Sequence, residues 1–531
     1  MSYLLKVCKN LSAAQVTVLS FVLTSLIGGL LLTWTEWDRV VYAKTPIILE
    51  STISTAVSEE LNVSNASQFT QLNTYVKNIS YKGERFIDMR FTAVSALCVT
   101  WLTSTDFSQF TFAGQVIVLF LVQIGWLGII LFTSLLAMML VKWLTERSTF
   151  QWLLSSIVGT DQNHVIRMIK HIVLYTFLLE WLWMLIMWIY LAYFADPAVL
   201  NGTNPRRRAL FHSISAFNNA GFWLFNDNLM KFVLDPVINL TVAWLIIVWW
   251  LWYPVLIAIH AWIRWMINKR RDIAQRKLFE DVKEVVASPV QIRVALFGTL
   301  GLILVWLILP LLSDYSNPLL SSYTIPQQMM IHFFQSVSTR TAWFNTIDIW
   351  ALSYATLFVY IGLMFVGANP WGTAWGIKIP TVAVLYGYLK DRFKKPWLPV
   401  TVMSRKVSKF AISHAIRLLF FSIFFIFMVS YIIMIVEKEY LHTNDMVFTF
   451  SKILFEVVSA FWTVWLSMGY PTGVTSFSGI LHPLSKILII ITMFFGRIGP
   501  LTVLDALPAR KALENEPLSP DFDDVDMIQI G

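Results

Sequence analysis

The chain has little cysteine and no recognisable catalytic motif. Its two cysteines, Cys8 and Cys98, stand before and after the first apolar run, so we expect neither a disulfide nor a thiolate metal cluster. The eight histidines are scattered along the chain, with no His-rich metal motif, no Gly-Ser nucleophile elbow and no phosphate-binding loop. These absences argue against an enzyme, and we expect no cofactor in this chain.

Charged residues are also scarce. They make up 14% of the chain against 57% hydrophobic residues, with a mean hydropathy of +0.64, which is typical of a polytopic membrane protein. Crossing a bilayer takes about 20 apolar residues in a helix. The clearest apolar runs are 13–33, 114–141, 172–195, 237–265, 294–312, 351–366, 411–436 and 483–495.

The net charge of +8 is concentrated in segments that separate pairs of apolar runs, at 142–170, 264–277 and 390–409. The positive-inside rule places these segments, and with them both termini, in the cytoplasm. The charge therefore indicates membrane topology rather than a nucleic-acid partner. Three neighbouring arginines at 206–208 violate the trend, because they fall on the predicted outer side.

One short pattern occurs four times at nearly even spacing. The four stretches begin with Phe91, Phe211, Phe333 and Phe455, which are 120, 122 and 122 residues apart, and each runs to Gly or Trp ten residues later. A period this regular indicates one structural unit used four times. We place the units at 1–145 (with an extracellular insert at 35–87), 165–268, 290–395 and 408–510, followed by a cytoplasmic tail at 511–531.

Each unit consists of an apolar run, a short segment rich in small and hydroxyl side chains, and a second apolar run. The short segment cannot span, and its backbone is tolerated at membrane depth only where it lines water or is buried in protein. We expect a re-entrant loop, with a half-helix starting near Asp88, Pro205, Pro326 or Thr449 and an extended strand after it. The alternative is that these stretches only allow close helix packing, but four copies at equal spacing favour a pore.

The predicted fold is therefore an all-α polytopic membrane protein of four fused helix–pore loop–helix repeats, with pseudo-fourfold symmetry around one ion pore. Four half-helices aiming their C-terminal ends at one centre favour a cation, and rings of carbonyls can replace the hydration shell of an alkali ion. No ring of Asp or Glu is present in the loops, which argues against a filter for divalent ions. The candidate filter residues are Cys98, Val99, Thr100, Trp101, Asn218, Asn219, Ala220, Gly221, Arg340, Thr341, Ala342, Trp343, Trp462, Thr463, Val464 and Trp465.

Several longer motifs carry a resemblance to a known family. They are Phe211-His-Ser-Ile-Ser-Ala-Phe-Asn-Asn-Ala-Gly-Phe222, Gln335-Ser-Val-Ser-Thr-Arg-Thr-Ala342, Phe344-Asn-Thr-Ile-Asp348, Gly367-Ala-Asn-Pro370 with Gly376-Ile-Lys378, and Phe495-Gly-Arg-Ile-Gly-Pro-Leu501. With these motifs the chain resembles the Trk/Ktr/HKT superfamily of potassium transporters, most closely the Ktr-type membrane subunit. The resemblance covers roughly residues 11–510.

The resemblance implies potassium uptake across the plasma membrane through a central channel-like pore, with K⁺ held at the filter carbonyls. It also implies a homodimer that docks on a cytosolic ring of nucleotide-binding regulatory subunits similar to KtrA or TrkA, so that a nucleotide is expected only on the partner. Segment 366–378 matches an intramembrane gating loop, and Arg497 matches an arginine that projects into the pore. The implied gate residues are Gly367, Asn369, Pro370, Gly372, Thr373, Gly376, Lys378 and Arg497.

The chain departs from the family where tryptophan replaces glycine. The family has glycine at the end of each filter strand, but only Gly221 is kept here, and Trp101, Trp343 and Trp465 occupy the other three ends. Trp462 also stands at a usual glycine, where we expect a strained backbone. Bulky indoles around one axis predict poor conduction. The alternative function is a non-conducting structural or regulatory paralogue, or an engineered variant of such a transporter.

Overall fold

The computed structural model describes nineteen parts of the chain. These are residues 13–36, 85–100, 102–105, 107, 110–126, 162–193, 204–218, 224, 229–247, 289–315, 317–339, 344–349, 352–367, 376–394, 399–403, 405–438, 446–464, 466–468 and 476–499. Helix dominates these ranges. Their regular β-structure is a small antiparallel hairpin, β1 Thr401–Val402 paired with β2 Arg405–Lys406.

Each unit begins with a long helix, and shorter helices follow it. The first unit contains α1 (Ala13–Thr35), α2 (85–98) and α3 (Phe112–Trp126), and the second contains α4 (Gln162–Tyr193), α5 (Pro205–Phe217) and α6 (Pro236–Ile247). The third contains α7 (Pro289–Ser313), α8 (Ile325–Ser338), α9 (Tyr354–Met364) and α10 (Ile379–Lys394). The fourth contains α11 (Lys409–Glu437), α12 (Met446–Phe461) and α13 (Pro483–Ile498).

The first helix of every unit is long and apolar enough to cross a membrane. The qualifying spans are Val18–Thr35, Thr176–Tyr193, Arg293–Ser313 and Ala411–Glu437. Large apolar side chains are left exposed on these helices, such as Phe424 on α11 and Trp181 on α4. Such exposure suits a lipid-facing surface and would be costly in water. The predicted all-α polytopic membrane fold is confirmed, and its fourfold symmetry stays a prediction.

The short helices form the interior. Three of the phenylalanines that begin the repeated stretches, Phe91, Phe211 and Phe455, are buried, and in the third unit the buried ring is the neighbouring Phe334. These rings anchor the short helices in the core that the longer helices surround. In the first and fourth units the described residues that follow, 98–100 and 462–464, are buried inside the protein, where a non-helical backbone is tolerated.

Two of the four predicted half-helix starts agree with the structure. Helix α5 begins at Pro205, and α8 begins at Ile325 with Pro326 in its first turn and Gln327 accepting a hydrogen bond from the Thr324 amide. The other two predicted starts are wrong, because residue 85 is already helical in α2 and α12 begins at Met446.

The second helix of the third unit is interrupted. Between α9 and α10, Val366 and Ile377 form an isolated parallel β-bridge, and the Gly367 amide donates to the Ile377 carbonyl over 3.1 Å. Gly376 closes this bridge with φ of 132°, and a Cβ there would lie 2.5 Å from the Gly367 nitrogen, so the position requires glycine. The interruption lies at the segment that the resemblance marks as a gating loop, and residues 368–375 lie outside the described ranges.

Neighbouring units in the chain are also neighbours in space. Helix α3 contacts α5, α9 contacts α12, and the amide of Leu229 in the second unit donates to the carbonyl of Asn345 in the third. The last unit returns to the first, where the rings of Phe21 and Phe494 pack edge-on with centroids 5.0 Å apart. The first and fourth units therefore share a contact surface, which we call the seam.

Candidate functional site

The C-terminal ends of α2 and α12 have the same backbone geometry. At the end of α2, the Val99 amide donates to the Ala96 carbonyl and the Thr100 amide to the Ser95 carbonyl, over 3.2 and 2.7 Å. This pair of bonds is a Schellman motif, with Val99 at the left-handed position. Its φ is 56°, a conformation that β-branched residues rarely adopt.

The end of α12 repeats the motif. The Thr463 amide donates to the Ala460 carbonyl over 3.4 Å and the Val464 amide to the Ser459 carbonyl over 2.9 Å. Thr463 has φ of 48°, and it occupies the same place in its stretch as Val99 does in the first. The backbone therefore turns out of α2 and out of α12 in the same way, at the first and fourth candidate filter stretches.

The prediction of a strained backbone at Trp462 is wrong, because Trp462 does not have a positive φ. The positive φ lies one residue later, at Thr463, while the Trp462 amide still donates to the Val458 carbonyl over 3.0 Å as in a regular helix. The strained backbone conformation therefore belongs to Thr463, a β-branched residue, and not to Trp462.

The indole of Trp462 packs towards the third unit. Its ring meets Phe461 at 4.8 Å and Phe365, at the end of α9, at 5.7 Å between centroids, and the side chain is buried. Its N–H has no hydrogen-bond partner within the described residues. This tryptophan fills space between α12 and the interrupted helix of the third unit.

Thr100 joins the first candidate filter stretch to the seam. Its carbonyl accepts a hydrogen bond from the Leu102 amide over 2.6 Å, which occupies one of the two lone pairs of that oxygen. Its hydroxyl donates to Ser95 Oγ and lies 2.6 Å from the sulfur of Met493 on α13. The end of α2 is thus in direct contact with α13, the last of the described helices.

A buried carboxylate holds the candidate filter residue of the second unit. Asn218 Nδ2 donates to Glu180 Oε1 over 2.9 Å, and Gln123 Nε2 on α3 donates to the same oxygen over 2.9 Å. Sequence reasoning missed Glu180, although it is the one acidic residue in the apolar run 172–195. An ionisable residue inside a span is costly and usually functional, so the sequence contained a usable signal.

Basic groups of the candidate gate lie close to the end of α2. Arg497 is buried on α13 and donates to the carbonyl of Gly125 on α3. Lys378, at the start of α10, and Cys98 both lie within electrostatic range of Arg497. The structure therefore brings together one candidate filter residue and two candidate gate residues from three different units.

Two glycines allow the second helices to approach these half-helix ends. A Cβ on Gly125 would overlap the Leu97 carbonyl of α2, and a Cβ on Gly496 would overlap the Phe461 carbonyl of α12. The two contacted carbonyls occupy equivalent places in the first and fourth stretches. Neither glycine was singled out from the sequence, because only the three-dimensional contact shows the need for a missing side chain.

The other predicted site residues lie outside the described ranges. In the filter these are Trp101, Asn219, Ala220, Gly221, Arg340, Thr341, Ala342, Trp343 and Trp465, and in the gate Asn369, Pro370, Gly372 and Thr373. Within the described residues, no group of three or more His, Cys, Asp or Glu side chains could hold a metal ion.

Comparison with known proteins gives one family. The model of the TrkH family, described as a cation transport protein, matches residues 13–516. The chain is 33% identical over 426 residues to Ktr system potassium uptake protein B of Bacillus subtilis, covering 78% of this chain and 84% of that protein. It is also 33% identical over 427 residues to the protein of the same name from Vibrio alginolyticus, covering 80% and 85%.

A solved structure has a similar fold. The crystal structure of the potassium transporter TrkH from Vibrio parahaemolyticus superposes with a TM-score of 0.58, covering 94% of this chain and 97% of that one, at 16% identity. At this identity the likeness concerns the fold alone. The family match spans every helix described above.

Proposed function

Because the chain belongs to the TrkH family of cation transport proteins, we propose that it takes up potassium ions across the plasma membrane through a central pore. The observation that supports this best is the same helix-ending geometry of α2 and α12, two half-helices that belong to the first and fourth units. These two units are joined at the seam. The Ktr relatives are potassium uptake proteins by name, and potassium is accordingly the proposed cargo.

The proposed filter is a set of carbonyl rings from the four stretches after α2, α5, α8 and α12. The partially negative helix ends lower the electrostatic energy of a cation at their centre, and the carbonyl oxygens replace the water that the ion loses. In the first and fourth units, Val99 and Thr463 turn the backbone out of the helix. The carbonyls of Val99, Thr100, Thr463 and Val464 then belong to the ion-binding strands.

The proposed gate is the interruption between α9 and α10 together with Arg497. A guanidinium and the nearby Lys378 ammonium repel a cation below the filter, and both groups are buried. Movement of the segment between Gly367 and Gly376 would change the position of Lys378, which directly follows the β-bridge.

We propose that the tryptophans at 101, 343 and 465 limit the flux. Indole N–H groups are donors and offer no acceptor to a cation, and their bulk is large for a pore only one ion wide. The non-conducting paralogue is the second candidate function, and it is favoured by tryptophan at three of four strand ends. In that case the chain would keep the fold and the surface that docks its partners.

The proposed assembly is a homodimer with cytoplasmic termini, bound to a cytosolic ring of nucleotide-binding subunits. The basic segments 264–293 and 390–409 are the proposed docking surfaces. The second segment contains the β1–β2 hairpin, which is tied to α10 by a 2.8 Å hydrogen bond from the Thr401 amide to Asp391. In this assembly K⁺ is the transported ion, and the nucleotide stays on the partner.

Potassium uptake into cells that lack their own uptake systems tests this function. We expect slow uptake by the unaltered chain and faster uptake by a variant with glycine at 101, 343 and 465. The matched control is Trp181→Gly, which alters an exposed indole on α4. If both the unaltered chain and the glycine variant reach the membrane but carry no potassium, the transport proposal fails and the non-conducting alternative holds.

A further inference from the structure

The segment 476–478, which follows the fourth candidate filter stretch in the chain, is bonded to a buried carboxylate. Glu456 lies on α12 with no exposed surface. Its Oε1 accepts hydrogen bonds from the Ser478 amide over 2.9 Å and from the Ser478 hydroxyl over 2.5 Å. The half-helix before the filter stretch is therefore bonded directly to the segment after it.

The same segment crosses the seam. The amide and the hydroxyl of Ser476 both donate to the Thr103 carbonyl, over 3.0 and 2.7 Å. Thr103 lies three residues after Thr100, immediately beyond the first candidate filter stretch. A short path thus leads from Glu456 by hydrogen bonds to Ser478, along the backbone to Ser476, and by hydrogen bonds to Thr103 of the first unit.

The corresponding residues of the other units do not make this connection in the described part of the chain. In the second unit His212 Nε2 accepts from the Leu224 amide over 2.9 Å, a bond that stays within the unit. In the first unit Thr92 donates to the Asp88 carbonyl of its own helix, and in the third the position is Phe334. Among the described residues, the carboxylate of the fourth unit is therefore the one at this position that is linked to another unit, across the seam between the fourth and first units.

We propose that Glu456 is a positioning residue that sets the depth of the fourth and first filter strands and thereby the preference for K⁺ over Na⁺. The inference rests on the proposed function. Buried donors left without an acceptor are costly, so Ser478 and its loop must move when the carboxylate is removed. Discrimination between alkali ions by carbonyl rings depends on where those oxygens are held. Glu456 acts through the loop and does not itself touch the ion.

The first test is backbone hydrogen exchange of the full-length protein in detergent. We expect Glu456→Ala to accelerate exchange at 476–478 and, across the seam, at 102–104. Glu456→Gln keeps an oxygen that can accept both Ser478 bonds, so it should leave exchange at 102–104 near that of the unaltered chain. Ser422→Ala is the matched control, because this buried serine on α11 donates to the Leu418 carbonyl of its own helix. Unchanged exchange at 102–104 in Glu456→Ala would overturn the proposal.

The second test is thermal unfolding at increasing KCl or NaCl, with the ratio of the two midpoint concentrations as the readout. We expect Glu456→Ala to reduce the preference for K⁺ about tenfold, equivalent to about 1.4 kcal/mol. Glu456→Gln should keep most of the preference. Ser476→Ala should reduce it less and add little to Glu456→Ala, because both act on the same path. A change in overall stability alone lowers the unfolding temperature in both salts and leaves the ratio unchanged.

The outcomes separate the two proposals. A normal K⁺ preference that survives Glu456→Ala overturns the role of Glu456 and leaves the proposed function intact. If the unaltered chain and its triple glycine variant both lack stabilisation by K⁺, the proposed function fails, and the selectivity role fails with it. Should Glu456→Ala not fold, Ser476→Ala and Ser478→Ala carry the same test, since each removes one hydroxyl from the path.

Discussion

At the scale of single residues, two kinds of position decide whether the half-helix ends can form. One kind must lack a side chain, as at Gly125 and Gly496, where the second helices meet carbonyl oxygens. The other kind must accept a left-handed backbone, as at Val99 and Thr463, where β-branched residues do so at a cost. Both kinds affect the same feature, the direction in which the chain leaves α2 and α12.

Gly496→Ala should destabilise the protein. Its Cβ would overlap the Phe461 carbonyl, so α13 must move away from α12, and overpacking of this kind costs about 1–3 kcal/mol. Gly301→Ala on α7 is the matched control, since a Cβ there meets nothing within 4 Å. Thermal unfolding in detergent should show a lower midpoint for Gly496→Ala, while Gly301→Ala should match or exceed the unaltered chain. Equal midpoints for the two variants would contradict the close contact.

Thr463→Gly should stabilise the protein by about 1 kcal/mol. It relieves a positive φ and removes a buried hydroxyl that has no hydrogen-bond partner among the described residues. The control is Thr92→Gly, a buried threonine inside α2, where glycine should destabilise the helix by a similar amount. The measurement is again the thermal midpoint, and a lower midpoint for Thr463→Gly would show that the threonine side chain contributes more than the strain costs.

At the scale of elements, the sequence predicted helix starts and spans well where they depend on residues that are close together in the sequence. The start of α8 follows from Thr324, Pro326 and Gln327, and the span of α11 follows from a continuous apolar run. The start of α2 was wrong because Asp88 is not a helix cap. Its carboxylate pairs with Lys486, 398 residues away. Likewise the contact of Glu456 with Ser478 and that of Gly496 with Phe461 join separate elements of the fourth unit, and no local pattern encodes them.

The ion pair between Asp88 and Lys486 should stabilise the contact between α2 and α13. The two groups are 2.8 Å apart with side chains 1% and 9% exposed. Removing one partner leaves an uncompensated buried charge, so Lys486→Met alone should cost about 3–5 kcal/mol. The double variant Asp88→Leu with Lys486→Met should recover much of that loss, because it leaves no buried charge. A double-mutant cycle on thermal stability measures this, and purely additive losses would mean that the pair is not coupled.

At the scale of the whole molecule, the chain brings its last unit back to its first. The Asp88–Lys486 pair, the Ser476–Thr103 bonds and the Arg497–Gly125 bond all join elements more than 370 residues apart in sequence. In a single-chain pore this seam is the place where a ring of four units must close. The stability of the seam and the alignment of the strands beside it are therefore expected to change together.

The three tryptophans at the filter ends should act together rather than one by one. A single-file path is obstructed by one remaining indole, so Trp101→Gly, Trp343→Gly and Trp465→Gly should each restore little potassium flux alone, and the triple variant should restore more than the sum of the three. Potassium flux into liposomes that contain the purified protein measures this. The insertion level of each variant, determined on the same liposomes, is the control. Robust and selective flux through the unaltered chain would contradict the prediction, because it would mean that the indoles pack behind the strands, as Trp462 does against Phe365.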